Sequence, residues 1–386
     1  MSEQTSTIPT SFGDLNKGVS TLPSNTVQET TGPLNPFYQY INDVYTTIGE
    51  HRKSLGLVNP GTIENINKEV SRDVFLNQYF FTGLRADLNK AFSMFPVFQT
   101  SHTLSMGSQV LPAYAFSALY YGEKTFMQGN IDNDLSFSGR INYGWNANNV
   151  SKLTLQLANG QPAMVQLEQD YQAGDFSVNF KTLNPSFLND GFTGLAVASL
   201  LQSLSKKLSV GVESSYTKQP GAPVPESAIS YYARYNNGNW IFSGQLLAQG
   251  ALIASFWRKV TDKVEAGVET QVSATMRPIT DNFSGTPIGM EPVIEGQTTV
   301  GAKYEYRQSV YRGQIDSTGK VGVFMEKRVL PTIALLFSGE IDHAKNNSRI
   351  GVGLQFESAG NEQIMMMQQG LVDANGNPVP GAPQVA

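Results

Sequence analysis

From Arg349 to Glu357 the chain alternates strictly. Ile350, Val352, Leu354 and Phe356 are apolar, whereas Arg349, Gly351, Gly353, Gln355 and Glu357 are polar, charged or glycine. Successive side chains on a β-strand point to opposite faces, so this stretch is apolar on one side and wet on the other. The same period recurs through most of the preceding chain. Leu135, Phe137, Ile141, Tyr143 and Trp145 oppose Ser136, Ser138, Arg140 and Asn142; Val300, Ala302, Tyr304 and Tyr306 oppose Lys303, Glu305 and Arg307. Turn residues interrupt the pattern roughly every 12 to 16 positions, as membrane-crossing strands of about 9–11 residues require. About 19 such segments can be counted. No apolar run reaches the roughly 18 residues that a membrane helix needs.

These patterns predict an all-β fold, a transmembrane β-barrel of about 19 strands with an N-terminal helical segment inside the pore. The expected divisions are a flexible segment with a short helix (1–57), a pore-lining helix (58–78), the barrel (79–357) and a tail (358–386). The competing fold, a large soluble β-sandwich, would have shorter strands and more Lys and Glu on its outer face. Only 15% of residues are charged, beside 36 Gly, 16 Tyr and 21 Phe, which favours the barrel. The strand nearest the helix is expected over Phe80–Phe92. Helical spacing is seen at Phe37, Tyr40, Ile41, Val44, Tyr45 and Ile48, within 36–55. It recurs at Ile63, Ile66, Val70 and Val74, which predicts a helix from Thr62 to Leu76 with Thr62 as its N-cap. That helix is too short to cross a membrane, so it is expected against the inner wall of the pore.

Several chemistries are excluded. The chain has no cysteine, hence no disulfide framework or thiolate metal site. A net charge of -5 argues against nucleic acid as a partner. His51, His102 and His343 form no metal-ligand pair. Asp132 and Asp134 sit between two strand patterns and read as a hairpin turn, and Gly351 and Gly353 precede no helix and so are no phosphate loop. The chain is therefore expected not to be an enzyme, with no cofactor and no bound metal. Met1–Thr30 has neither the apolar core of a secretory signal nor the Arg-rich character of a transit peptide, so delivery from the cytosol is expected.

Five runs of residues carry a resemblance. They are 58–62 (VNPGT), 68–75 (KEVSRDVF), 83–90 (GLRADLNK), 129–135 (GNIDNDL) and 301–307 (GAKYEYR). Together, across about 57–367, they resemble the fungal channel-forming subunits of the translocase of the mitochondrial outer membrane, the TOM complex, within the eukaryotic porin superfamily. Arg349, Gly351, Leu354 and Phe356 also fit the sorting signal of that family's last strand. The resemblance implies 19 strands, with the first and last paired in parallel, and a helix inside the pore. It implies a multi-pass protein of the mitochondrial outer membrane that conducts precursor proteins. The implied partners are presequence-bearing precursors, a receptor subunit, small single-helix subunits and membrane lipids.

Mitochondrial presequences are basic and amphipathic. By strand parity, twelve acids and eight bases face the lumen; the acids are Asp87, Asp132, Asp134, Glu168, Asp170, Glu213, Glu265, Glu269, Glu305, Glu326, Glu340 and Glu357. Asp87, Asp132, Asp134, Glu326 and Glu357 are the candidate presequence track. Lys327 shares the outward face of Val321, Val323 and Met325, so it is expected near a lipid headgroup or at a contact between barrels of a homo-oligomer. The alternative function is a metabolite or anion diffusion porin, which would need basic rings in its lumen. A barrel-shaped enzyme or soluble binding protein is the alternative from another class, and it would not stay with membranes at alkaline pH.

Overall fold

A computed structural model describes residues 52, 54–94, 96–108, 111–187, 191–221, 224–280, 287–330 and 332–358. Nineteen strands form one sheet closed on itself. They are β1 (Gly83–Met94), β2 (Val97–Met106), β3 (Tyr114–Tyr121), β4 (Thr125–Asp132), β5 (Phe137–Asn146), β6 (Asn149–Leu157), β7 (Met164–Gln172), β8 (Phe176–Ser186), β9 (Thr193–Ser203) and β10 (Leu208–Lys218). The remainder are β11 (Glu226–Asn236), β12 (Trp240–Leu246), β13 (Leu252–Thr261), β14 (Val264–Thr280), β15 (Pro287–Tyr306), β16 (Ser309–Asp316), β17 (Lys320–Leu330), β18 (Ile333–Asp342) and β19 (Asn347–Ser358). Each strand pairs antiparallel with the next. The ring closes where β1 meets β19 in parallel, with Gly83 opposite Gly351 and Asp87 opposite Gln355. Closure leaves no unpaired edge within the barrel wall, which a sheet in hydrocarbon requires.

The alternation decides which face meets lipid. Ile350 is 73% exposed and Leu84 59%, whereas their neighbours Gly351 and Arg85 are buried or half-buried in the lumen. A soluble protein buries such side chains; here the outside is the apolar face. The two rims differ. Odd strands begin at one rim, joined there by loops of three to seven residues, and end at the other, where turns are two to four residues long. These are called the loop rim and the turn rim. The β14–β15 hairpin overreaches the loop rim: beyond Val272 and Thr299 neither strand has an outer neighbour, so its end stands free as a ribbon.

The barrel holds its apolar core inside the pore. Ile63 and Ile66 pack with Leu201 and Tyr232; Val70, Val74 and Phe75 pack with Trp257; Leu76 and Phe81 pack with Phe324 and Leu336. Every cluster joins the chain before β1 to lumen-facing wall residues, so residues 63–81 lie against the inner wall.

The structure departs from two expectations. The single helix over Thr62–Leu76 is instead a 3-10 turn at Ile63–Asn65 and a π-type turn at Glu69–Val74, after which Phe75 is extended. Thr62 makes no cap bond; its hydroxyl accepts from Asn65 Nδ2 at 2.8 Å. The wall explains the break, because Arg234 Nη1 takes the carbonyls of Asn65 and Ile66, which a continuous helix would keep. Phe80 is not in a strand: β1 starts at Gly83, and Phe81 is 2% exposed inside the lumen. The sequence-predicted helix within 36–55 falls almost wholly outside the described residues.

Candidate functional site

The lumen is one continuous site, and the segment before β1 divides it. The route is fixed by contacts. At the turn rim, Arg52 pairs with Asp175, Asn59 Nδ2 donates to the carbonyl of Ala173, and Ser203 Oγ donates to the carbonyl of Val58 at 2.7 Å. Midway, Arg234 Nη2 meets Glu69 at 2.6 Å, and Asn67 Nδ2 donates to Glu269 at 3.0 Å. Further on, Arg312 donates to the carbonyl of Asp73 and stacks 3.8 Å over the ring of Tyr79. The Leu76 amide then donates to Gln314 Oε1, and the Phe81 amide to Ser338 Oγ. The segment thus enters beside β7–β10 at the turn rim, crosses β11–β16 obliquely, and leaves beside β17–β19 at the loop rim. Wall side chains satisfy much of its backbone, so it forms part of the wall.

A row of glycines makes this fit possible. A methyl group on Gly211 would lie 3.2 Å from Ile63, on Gly267 3.1 Å from Val70, and on Gly301 2.8 Å from Phe75. On Gly322 it would lie 2.8 Å from Leu76, and on Gly353 3.1 Å from the ring of Phe81. These glycines face the lumen on β10, β14, β15, β17 and β19. Leaving out side chains along that oblique line carves a groove into which the apolar residues of the segment press.

The candidate acids fall into three situations. Asp132 ends β4, and its Oδ1 accepts from the amides of Asp134 and Ser136, so it shapes the β4–β5 turn at the loop rim. Asp134 lies in that turn, not on the lumen wall where parity had put it, because the turn breaks the period. Arg307, also assigned to the lumen by parity, sits in the β15–β16 turn at φ 53°. Asp87 is on the wall but buried, held by Arg85 at 2.8 Å and Thr103 at 2.7 Å. Glu357 meets Arg328 at 3.3 Å and Gln355 at 2.9 Å. Among the described residues Glu326 has no ion pair or hydrogen bond, so its charge is open to the pore. Asp87, Glu326 and Glu357 do share one arc, on β1, β17 and β19; Glu326 and Glu357 lie toward the turn rim, whereas Asp87 lies nearer the loop-rim end of β1.

On β19, Arg349 faces Glu340 in register, Gly351 faces the lumen, and Leu354 and Phe356 face lipid. Lys327 is exposed on the outer face between Ser309 and Leu335, three residues from the turn-rim end of β17. Arg234, Arg312 and the glycine row escaped the sequence reading. Parity alone marks both arginines as lumen-facing; what it lacks is their partner, the segment.

The family described as eukaryotic porin matches residues 59–352. The Saccharomyces cerevisiae protein named mitochondrial import receptor subunit TOM40 is 63% identical over 354 residues, covering 91% of this chain and 91% of that one. Its Neurospora crassa namesake is 41% identical over 342 residues, covering 88% and 95%. The Homo sapiens homolog is 25% identical over 307 residues, covering 77% and 78%.

Proposed function

The chain belongs to the eukaryotic porin family and, within it, to the mitochondrial import receptor subunits TOM40, and from that premise we propose that it conducts precursor proteins across the mitochondrial outer membrane. It resides in that membrane as a multi-pass β-barrel and works as a subunit of the import translocase. The observation that carries the reading is a closed 19-stranded barrel whose inner segment hugs the wall from β7 to β19 and, among the described residues, leaves the lumen face of β2–β5 uncovered. A conduit for many sequences needs weak and distributed contacts, because one tight site would trap its cargo. The uncommitted lumen face suits this: Gln99, Ser101 and Ser117 line β2 and β3, and Gln128, Asn130 and Asn142 line β4 and β5.

Within that reading, Glu326 and Glu357, with Asp87 behind them, attract basic presequences at the turn-rim half of the pore. Lys327 meets headgroups or a second barrel, and receptor and single-helix subunits seat on the lipid face. Arg349, Gly351, Leu354 and Phe356 act as the sorting signal of the last strand. The function is tested by planar-bilayer recording of the purified chain with a basic amphipathic peptide. Peptide-dependent blockade of a cation-preferring conductance is expected. An anion-preferring conductance indifferent to the peptide would favour the metabolite porin.

A further inference from the structure

At the turn rim, across the ring from the acids of β17 and β19, lies a cleft of opposite character. It has a volume of about 330 Å³ and opens between residues 58–68 and the ends of β9–β11. Lys68 comes from the inner segment, Lys206 and Lys207 from the β9–β10 turn, and Arg234 from β11; no Asp or Glu lines it. Lys68 and Lys206 are exposed and make no ion pair or hydrogen bond among the described residues, and Lys207 meets only Asn237. Arg234 is committed to Glu69, so among the described residues three cations remain unneutralised around one opening. In a chain of net charge -5 such a gathering is not the average surface. The amides of Gln172 and Asn236 add donors and acceptors of the kind that bind peptide backbone.

The cleft is also built to hold its shape. One wall is the segment fixed by Ser203 and Arg234; the other is barrel strand. Its lining runs from Val58 to Lys68 along the segment and across the ends of β7 and β9–β11, more partners than a single compact anion engages. Nine strands separate β10 from β19 around the ring, so basic cleft and acidic arc face each other across one mouth.

We infer that this cleft binds an acidic, extended peptide segment of a partner protein at the turn rim. Its carboxylates would pair with Lys68, Lys206 and Lys207. Such a partner would be held clear of the acidic arc, so that basic cargo and acidic partner occupy opposite sides of the mouth without competing. The inference stands on the cleft alone and does not require that the chain imports proteins.

The test uses the full chain in phosphatidylcholine nanodiscs and a fluorescent twelve-residue peptide of alternating Glu and Gly, followed by anisotropy. The triple variant Lys68→Gln, Lys206→Gln, Lys207→Gln is expected to weaken binding roughly tenfold, three partly screened charge pairs combined, while single-channel conductance certifies an intact barrel. Lys206→Glu, which touches only a turn residue, is expected to weaken it severalfold, and raising salt should do likewise in the wild type. No binding to the wild type, or equal binding by the triple variant, overturns the inference. Competition by inorganic phosphate at concentrations comparable with the peptide also overturns it, since the cleft would then be an anion pocket.

Discussion

Gly351 of the last strand and Phe81 before the first are in direct contact. A side chain on Gly351 would overlap the carbonyl oxygen of Phe81 and lie 2.9 Å from its ring. The contact sits beside the parallel junction of β1 and β19, where Gly83 faces Gly351. Gly351, for which a sorting role is proposed, is thus also the seat on which the inner segment ends before the ring closes.

Those two roles can be separated. Gly351→Ala should impair assembly whichever role dominates, since it meets backbone. Gly353→Ala meets side chains, Phe81 Cζ and Leu336 Cβ, both at 3.1 Å. It should cost about 1–3 kcal/mol of overpacking and be rescued by Phe81→Leu. Assembly on native gels reads the outcome; a Gly353→Ala barrel that Phe81→Leu does not rescue would argue that the seat is unimportant.

If the inner segment is a fixed part of the wall, tethering it should change nothing. A methyl on Gly267 would be 3.5 Å from Val70 Cβ, within disulfide reach, and the chain has no cysteine to interfere. The Val70→Cys, Gly267→Cys pair should oxidise readily and keep wild-type conductance and import. Loss of either on oxidation, restored by reductant, would show that the segment moves during transport.

Arg234→Ala strips Glu69 of its cation and leaves two segment carbonyls without their donor. Removing one partner of a largely buried set costs about 1–3 kcal/mol in a water-lined pore, so thermal unfolding in detergent should come earlier. Adding Glu69→Gln should recover part of the loss. An unchanged melting temperature would refute the clasp.

The acids of the presequence arc should not be equivalent. Glu326→Gln removes a free charge, so it should reduce cation preference and shorten blockade by a basic peptide while assembly stays normal. Asp87→Asn breaks buried contacts to Arg85 and Thr103 and should show first as lost stability. Replacing Asp87, Glu326 and Glu357 together by Asn should slow presequence-bearing cargo more than cargo without one. Equal slowing of both would indicate damage to the barrel.

Lys327→Leu removes an outward cation near the turn rim. Were it a barrel–barrel or headgroup contact, the complex on native gels should shrink or its retained lipid fall. Neither change would leave Lys327 an ordinary rim residue.

The wall was legible in the sequence because strand period carries its own signal: residues two apart share a face, and a closed sheet repeats the rule nineteen times. Parity therefore assigned Glu326, Asp87 and Leu354 to their faces, and failed at Asp134 and Arg307, where a turn resets the count. The inner segment was less legible. Its apolar spacing at Ile63, Ile66, Val70 and Val74 is helical, yet the backbone follows the glycine groove and surrenders carbonyls to Arg234. Local pattern cannot report a groove assembled from strands some 150 to 290 residues downstream, between Gly211 and Gly353.

An odd number of passes through lipid would put the two ends of this chain on opposite sides of the membrane. The inner segment supplies one more pass, made through water instead of hydrocarbon, and restores the even count. Val58 and Ser358 consequently open on the same rim. The segment thus sets the side of the membrane on which the described chain both begins and ends, as well as lining its pore.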